Sequence, residues 1–406
     1  MGKHGIDRCK QKGPGKMNFA AIGKLSAASA IALALFSAST SSRAETTASL
    51  EPEESDVQTI SPPKPSWIYV NRGFVLPGVA IYDTASGKMV GMVETSLLSD
   101  MAIDPAGKYY YVSETIWTKG WRGVRQDMVT VYDSTGLKLQ SEIAMPGRIL
   151  IGGRKNNFVI SDDGKTAFVY NLNPASSVNV VDLVKRRFVR NIELAGCASL
   201  IPNPGVGFSA LCSDGSMATV SIAGTKPVTT RSASFFSATG DPIFDNFAYD
   251  KAKREAVFLT YTGLVYTAKM GPSPTISEPV SIQAMAGVRA GETKPLEVNW
   301  YPGGGQPMAL HRASGHLYVL MHMGEYWSHK AAGSEIWDLD LTTKKVVKRV
   351  PLADPAKSIE VTQDAAPKVI VAGESGTVHI LDATSWDEKF KLEKAGGGVI
   401  AVADPS

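Results

Sequence analysis

Cysteine is nearly missing from this sequence: three in 406 residues, at Cys9, Cys197 and Cys212. No Cys-x-x-Cys and no Cys-x-x-Cys-His occurs, which excludes a paired-thiol zinc site, a thioredoxin-like redox pair and a self-contained c-type haem attachment. A Gly-x-Ser-x-Gly elbow is also missing, so a hydrolase triad of the usual strand-turn-helix kind has nowhere to sit. The runs Gly303-Gly304-Gly305 and Gly396-Gly397-Gly398 lack a following Lys-Ser/Thr and read as loop glycines, not phosphate cradles. Histidine is scarce as well. Four of the six, His311, His316, His322 and His329, fall within nineteen residues, but their spacings fit neither His-Glu-x-x-His nor a paired zinc pattern. They read as surface or hydrogen-bonded side chains, and no metal is expected.

An excess of one charge is lacking too, with Lys+Arg 42 against Asp+Glu 39. The first 44 residues hold Lys3, Arg8, Lys10, Lys12, Lys16, Lys24 and Arg43 against Asp7 alone. Taking these seven and one away leaves 35 basic against 38 acidic residues, and nothing argues for nucleic acid. Nor is there an apolar run long enough to span a bilayer; the longest small and apolar stretch is residues 25–36. Preceded by basic residues and followed by Ser42-Arg43-Ala44, it reads as an export signal over residues 1–44, cleaved after Ala44, with Met1 or Met17 as the start. The expectation is a soluble exported protein, periplasmic in a Gram-negative cell, with no membrane span.

Export would leave Cys197 and Cys212, which flank Pro202-Asn203-Pro204-Gly205 symmetrically. That symmetry sets them opposite each other on paired strands, where a Cα separation of about 4.5–5.5 Å suits a disulfide. Two buried free thiols are the alternative.

What is present is a repeat. Residues 45–65 are acidic, then proline-rich, and read as an arm or linker. From residue 66 onward, polar turns such as Asp104-Pro-Ala-Gly-Lys, Asp162-Asp-Gly-Lys and His311-Arg-Ala-Ser-Gly precede apolar strands. Further strands close at Asp83, Asp133, Asp182, Ser221, Thr267, Asp338 and Asp382. These seven closings are about 50 residues apart on average, the period of a four-stranded propeller blade, and no sustained 3.6-residue period competes. The fold predicted over 66–406 is all-β, a seven-bladed β-propeller of four-stranded blades. Residues 270–305 read as an insertion. Residues 113–127 read as a loop inserted between two strands, whose Trp117, Trp121, Arg122 and Arg125 suit a partner interface; a solvated loop tethered by a local Arg-Asp pair is the other reading.

Several stretches together resemble a known family: Arg122-Gly-x-Arg-x-Asp127, the Cys197…Cys212-x-Asp-Gly215 pair, Thr260-Tyr-Thr-Gly263, and Trp300-x-Pro-Gly-Gly304 with His311-Arg-Ala313 and His329-Lys330. In this order, from about Trp67 to the C-terminus, the chain is similar to the heavy subunit of methylamine dehydrogenase and of its aromatic amine dehydrogenase relative. The resemblance implies a propeller scaffold in a periplasmic complex of two heavy and two light chains. The disulfide-rich light chain would carry tryptophan tryptophylquinone and the catalytic base, so this chain is expected to bind no cofactor and to supply no catalytic residue. A primary amine, methylamine first and an arylalkylamine second, would be oxidised to aldehyde and ammonia, with electrons passed to a blue-copper protein such as amicyanin or azurin. The family's heavy chain places a phenylalanine from its first-blade loop at the mouth of the substrate channel. The stretch 68–74 resembles that loop, which makes Phe74 the channel candidate, with an ordinary core or rim aromatic as the alternative. Two other classes remain open: a stand-alone propeller acting as a binding module, and a propeller enzyme with a quinone or metal of its own on the axis.

Overall fold

The computed structural model describes residues 59–73, 76–149, 152–173 and 175–403. The predicted export signal, its cleavage point at Ala44, Cys9 and Phe74 lie outside the described residues. Among the described residues, no helix is long and apolar enough to cross a membrane.

Antiparallel strands build almost everything, and one local device recurs. At Asp83, Asp133, Asp182, Asp340 and Asp382 a strand ends with the aspartate Oδ1 accepting from a backbone N–H two or three residues on: Ala85 at 3.1 Å, Thr135 at 3.3 Å, Lys185 at 2.9 Å, Thr342 at 2.8 Å and Thr384 at 3.0 Å. Four residues after each aspartate the backbone turns left-handed, at Gly87, Leu137, Arg186, Lys344 and Trp386. Each of these hairpins shifts register by one residue just before or beside the turn. The unit is therefore an aspartate-started hairpin with a bulge, which coils the outer strand of each blade. The closing expected at Asp338 falls instead at Asp340, because the strand Gly333–Asp340 runs on by two residues. Asp338 is turned to His316, with Nδ1 to Oδ1 at 2.6 Å.

Six hydrogen-bonded sheets result. Three have four strands. One holds Ser99–Ile103, Tyr109–Lys119, Arg122–Asp133 and Leu139–Ala144. Another holds Cys197–Asn203, Gly207–Cys212, Met217–Ser221 and Val228–Arg231. In the third, the C-terminal strand Ile400–Val402 pairs with Trp67–Asn71, next to Val79–Asp83 and Lys88–Val93, so the two ends of the described chain close the ring. Two sheets have five strands because one strand position is split. Arg148–Ile149 and Phe158–Ile160 both lie on Thr166–Asn173, and Thr275–Ile276 and Val280–Ser281 both lie on Leu264–Lys269.

The sixth sheet has eight strands, from Val298–Pro302 to Glu388–Leu392. Its centre is Lys345–Val361, an unbroken strand of 17 residues. Residues 345–351 of this strand pair with residues 335–340 and residues 356–361 pair with Lys368–Gly373, while Ala356 also faces Gly333 on the other side. The expectation of seven separate four-stranded blades is thereby corrected. The all-β propeller has five discrete blades of four or five strands, and the eight-stranded sheet stands where the repeat period placed two units. The reason is local: Pro351-Leu-Ala-Asp-Pro355 keeps an extended backbone, so the ladder passes from one neighbour to the other without the turn that would have separated them.

Apolar side chains fill the spaces between neighbouring sheets. Phe168 and Phe208 meet across one such space at 4.9 Å, and the fully buried Tyr69 and Tyr110 meet across another at 5.4 Å, with their hydroxyls 3.1 Å apart. Residues just before the first strand are also engaged: Ile60 N–H donates to Thr135 O at 2.9 Å, and its side chain packs on the neighbouring core.

Candidate functional site

Because each blade is an antiparallel meander, the inner strands all begin on the same face on which the second strands end. We call this the loop face. It gathers the 72–78 loop, the tip of the Tyr109–Lys119 hairpin, the Cys197 and Cys212 pair, and residues 260–263, 303–305 and 325–331. The residues singled out from sequence are thus largely brought to one side. His311 and His316 lie on the opposite side.

On the loop face a cavity of about 580 Å³ is lined by Asn71, Arg72, Gly73, Leu76, Gly153 and Lys394, with backbone of residues 396–398. Gly73 and Leu76 are the described residues that bracket Phe74. Gly396 is held at φ +139°, and a Cβ there would lie 2.8 Å from Asn71 O. A side chain would push the first-blade loop away from the cavity wall. Below the wall lies Asp100, 7% exposed, whose carboxylate accepts from Gly152 N–H at 3.3 Å. Burial pushes its carboxyl up to about 7, against the opposing pull of the backbone N–H groups of residues 152–154 and the Arg154 charge.

A polar bar crosses the propeller axis nearby. The Lys155 ammonium pairs with Glu360. Gln306 Nε2 donates to Ile359 O at 2.9 Å, Glu360 Oε2 at 3.1 Å and Ile400 O at 3.0 Å, while its Oε1 accepts from Ile400 N–H at 2.9 Å. Asn246 Nδ2 donates to Gly153 O at 3.0 Å and Gly305 O at 2.7 Å, and its Oδ1 accepts from Lys155 N–H at 2.9 Å. These groups join residues up to 205 positions apart, so no short motif could have announced them.

An aromatic cluster lies further round the same face. The His329 ring stacks on Tyr261, centroids 3.9 Å apart and planes 15° apart, with Trp327 edge-on to both and Phe244 beneath Tyr261. Burial first, and then the Lys330 charge, lowers the His329 pKa, which keeps the ring neutral at pH 7. The other three histidines of the 311–329 stretch have separate partners: His311 with Ser314, His316 with Asp338, and His322 with Ser328. Among the described residues no group of three or more His, Cys, Asp or Glu side chains could hold a metal ion.

The stretch 113–127, expected as a loop, continues both of its flanking strands as a hairpin arm. Trp117 and Trp121 lie 5.7 Å apart, and the Arg125 guanidinium sits 5.5 Å from the Trp117 ring. Arg125 bonds Asp127 through Nε at 2.8 Å and Nη2 at 2.7 Å, and reaches Ile149 O at 3.0 Å. It ties the arm to the next blade, and its guanidinium is committed inside the chain. Trp121 is 63% exposed, and Arg122 beside it is exposed. A second tryptophan pair, Trp300 and Trp337 at 5.6 Å, also holds a guanidinium: Arg349 lies 4.5 and 4.6 Å from the two rings. Cys197 and Cys212 are opposite partners in their ladder, as the symmetry of the hairpin implied, and form a disulfide. Their Cα atoms are 3.9 Å apart, closer than expected.

Gln283 escaped the sequence reading. It sits in the four-residue helix Ile282–Met285 of the 270–305 insertion, fully buried, and its Nε2 donates to Thr262 O at 2.7 Å and Trp300 O at 2.8 Å. It joins two of the stretches that carried the family resemblance, and only the fold makes them neighbours.

Comparison with known proteins agrees with this architecture. Residues 68–404 match the family described as methylamine dehydrogenase heavy chain. The methylamine dehydrogenase heavy chain of Methylobacillus flagellatus is 29% identical over 77% of this chain and 78% of its own length. That of Paracoccus versutus is 28% identical over 78% and 74%. Among solved structures, a putative 6-phosphogluconolactonase from Bacteroides fragilis superposes with a TM-score of 0.56 at 12% identity, covering 87% of this chain and all of that one. A dihydro-heme d1 dehydrogenase does so at 0.52 and 16%, covering 85% and 77%. At such identities these structures share the fold alone.

Proposed function

This chain belongs to the methylamine dehydrogenase heavy-chain family, and on that premise we propose that it is the scaffold subunit of a periplasmic quinoprotein amine dehydrogenase. The observation that carries the reading is the extent of the family match, residues 68–404, which takes in every sheet of the propeller. The proposed complex holds two heavy and two light chains. It oxidises a primary amine, methylamine first, to aldehyde and ammonia, and hands the electrons to a blue-copper protein.

In this reading the quinone and the catalytic base belong to the light chain, while this chain's own tryptophan pairs, each packed against an arginine, brace the fold. The heavy chain's part is to bind, orient and exclude water. The loop face suits that part, because its cavity is walled by backbone and bordered by the residues next to Phe74. Phe74 is the proposed apolar gate of the substrate channel, where a bulky ring selects among amine side chains and keeps the site dry. Trp121 and Arg122, at the arm tip, are the proposed contacts to the light chain.

The test is purification of the native protein from the exported fraction. Co-purifying chains are weighed by mass spectrometry, and the absorption spectrum is recorded with and without methylamine or 2-phenylethylamine. A small disulfide-rich companion whose visible band bleaches with one of these amines supports the reading and names the substrate class. A chain that purifies alone, colourless and unresponsive even when co-expressed with a candidate light chain, overturns it in favour of a binding module.

A further inference from the structure

The five aspartate-started hairpins share one turn, and one of them departs from it. At the tip of four stand Ala85-Ser86, Thr135-Gly136, Thr342-Thr343 and Thr384-Ser385, and in three of these a tip hydroxyl returns to the aspartate. After Asp182 the same two places hold Val184 and Lys185, followed by Arg186 and Arg187. Val184 is 70% exposed, and the turn itself has no use for it. We propose that this turn, with the adjoining turn of the next blade, is a contact site for an anionic phospholipid surface.

The third strand of each blade runs back from the loop face, so residues 183–186 lie on the opposite side, at the outer rim. The 222–227 turn of the next sheet adjoins them. Arg190 Nη1 donates to Thr225 O at 3.0 Å, and Ile222 lines a groove of about 350 Å³ together with Val180, Val184, Val189 and Lys185. Val189 and Val228, on the outer strands of the two blades, are exposed as well.

The charge around these valines is one-sided. Lys185, Arg186, Arg187, Arg190 and Lys226 stand against Asp182, while Lys165 is paired with Asp163 at 3.4 Å. Asp182 lies across the ladder from Arg187, but its Oδ1 accepts the Lys185 backbone N–H at 2.9 Å. Arg186 donates to Gln140 O at 3.4 Å and lies 5.4 Å from the Tyr109 ring; like Arg190, it meets no carboxylate and keeps its charge. Among the described residues no ion pair engages Lys185, Arg187 or Lys226.

Cations on an outer strand can serve simply to keep sheet edges apart, but exposed valines set among them undo that purpose. A protein partner is usually gripped by aromatic anchors, and Phe188, the aromatic of this stretch, is packed inward on the core. Cations that attract phosphate headgroups, around short aliphatic side chains that enter the headgroup boundary, suit a bilayer surface. The site does not depend on amine oxidation, and it leaves the loop face free.

The experiment is co-sedimentation of the protein purified from the exported fraction, with whatever chain accompanies it, on two kinds of vesicle: phosphatidylcholine alone, and phosphatidylcholine with about one-third phosphatidylglycerol. Binding to the second is expected to be about tenfold stronger and to be lost at about 0.5 M salt. Lys185→Glu combined with Arg187→Glu, both at exposed positions, is expected to bring binding down to the phosphatidylcholine level. Lys344→Glu combined with Lys345→Glu changes the net charge equally at another hairpin's turn and is expected to leave binding within about twofold. Val184→Ser, which alters no charge, is expected to weaken it about threefold, and it decides alone if the first double variant does not fold. The proposal is overturned if phosphatidylglycerol adds no binding, if both double variants lose it alike, or if Val184→Ser binds as the wild type does. That last result, with capture on a poly-glutamate resin, would assign the patch to an acidic protein instead.

Discussion

Asp100 carries an ionisable group where water scarcely reaches, and its carboxyl is pushed up to about 7. An unfolded aspartate titrates near 3.9, so the native state binds the proton more tightly than the unfolded one. The stability this provides is therefore complete at low pH and is lost as the pH rises from about 4 through about 7, at roughly 1.4 kcal/mol for each pH unit crossed in that window. Asp100→Asn removes the titration. The expected outcome is that the wild-type melting temperature falls relative to the variant between pH 5 and pH 8, with the gap widening as pH rises. A gap that stays level across that range would mean that the group is better solvated than its 7% exposure implies. Asp382 behaves oppositely: backbone N–H groups of the 384–385 turn and Lys368 hold its carboxyl well below the usual range, and it stays ionised down to strongly acidic pH. The two aspartates differ in place, not in chemistry. One begins a surface turn that offers it donors, and the other lies under a cavity wall.

At the scale of elements, the 113–127 arm separates two roles that look alike in the sequence. Arg125 and Trp121 both sit in an Arg- and Trp-rich stretch, yet one anchors the hairpin and the other points outward. Arg125→Ala would leave Asp127, 8% exposed, as a buried charge without its counter-ion, and is expected to cost about 3–5 kcal/mol in denaturant unfolding. Trp121→Ala is expected to change stability by no more than about 0.5 kcal/mol and to reduce co-purification of the light chain. A stable Arg125→Ala variant would sink the anchor reading, and undiminished co-purification with Trp121→Ala would remove the arm tip from the interface. The outer hairpins were the most legible elements in the sequence, because an aspartate with its following turn is a local signal. The extent of the arm was less legible: residues 113–127 have no clean alternation, and their ladder from Glu114↔Met128 to Lys119↔Arg122 is held by cross-strand bonds that the sequence pattern does not display.

For the molecule as a whole, closure of the ring depends on two kinds of bond. The C-terminal strand pairs with the first, and Gln306 clamps the inner strands through four hydrogen bonds at the axis. Gln306→Ala would strand the Ile400 N–H, two buried carbonyls and part of Glu360, at about 1–3 kcal/mol for each group that stays dry. The expected outcome is a loss of about 3 kcal/mol or more, with hydrogen exchange accelerated first in Ile400–Val402 and Trp67–Asn71, the strands that close the ring. Exchange that speeds up evenly over all sheets would argue that the clamp does not act on closure.

What the sequence determined by itself is what local chemistry can specify. The aspartate turns, the alternating strands between them and the facing cysteines each depend on a few neighbouring residues, and they survive in the structure, with the closing expected at Asp338 moved to Asp340. The repeat period overcounted separate units, because a period records how often strands recur and not whether the ladder stops between them. At Lys345–Val361 it does not stop. The tertiary structure alone decided what gathers at the axis and on the loop face: Asp100 under the glycine-walled cavity, the bar of Lys155, Glu360, Asn246 and Gln306, and Gln283 between Thr262 and Trp300. Each of these pairs partners from distant parts of the chain, and their energies come from burial, which no window of sequence contains.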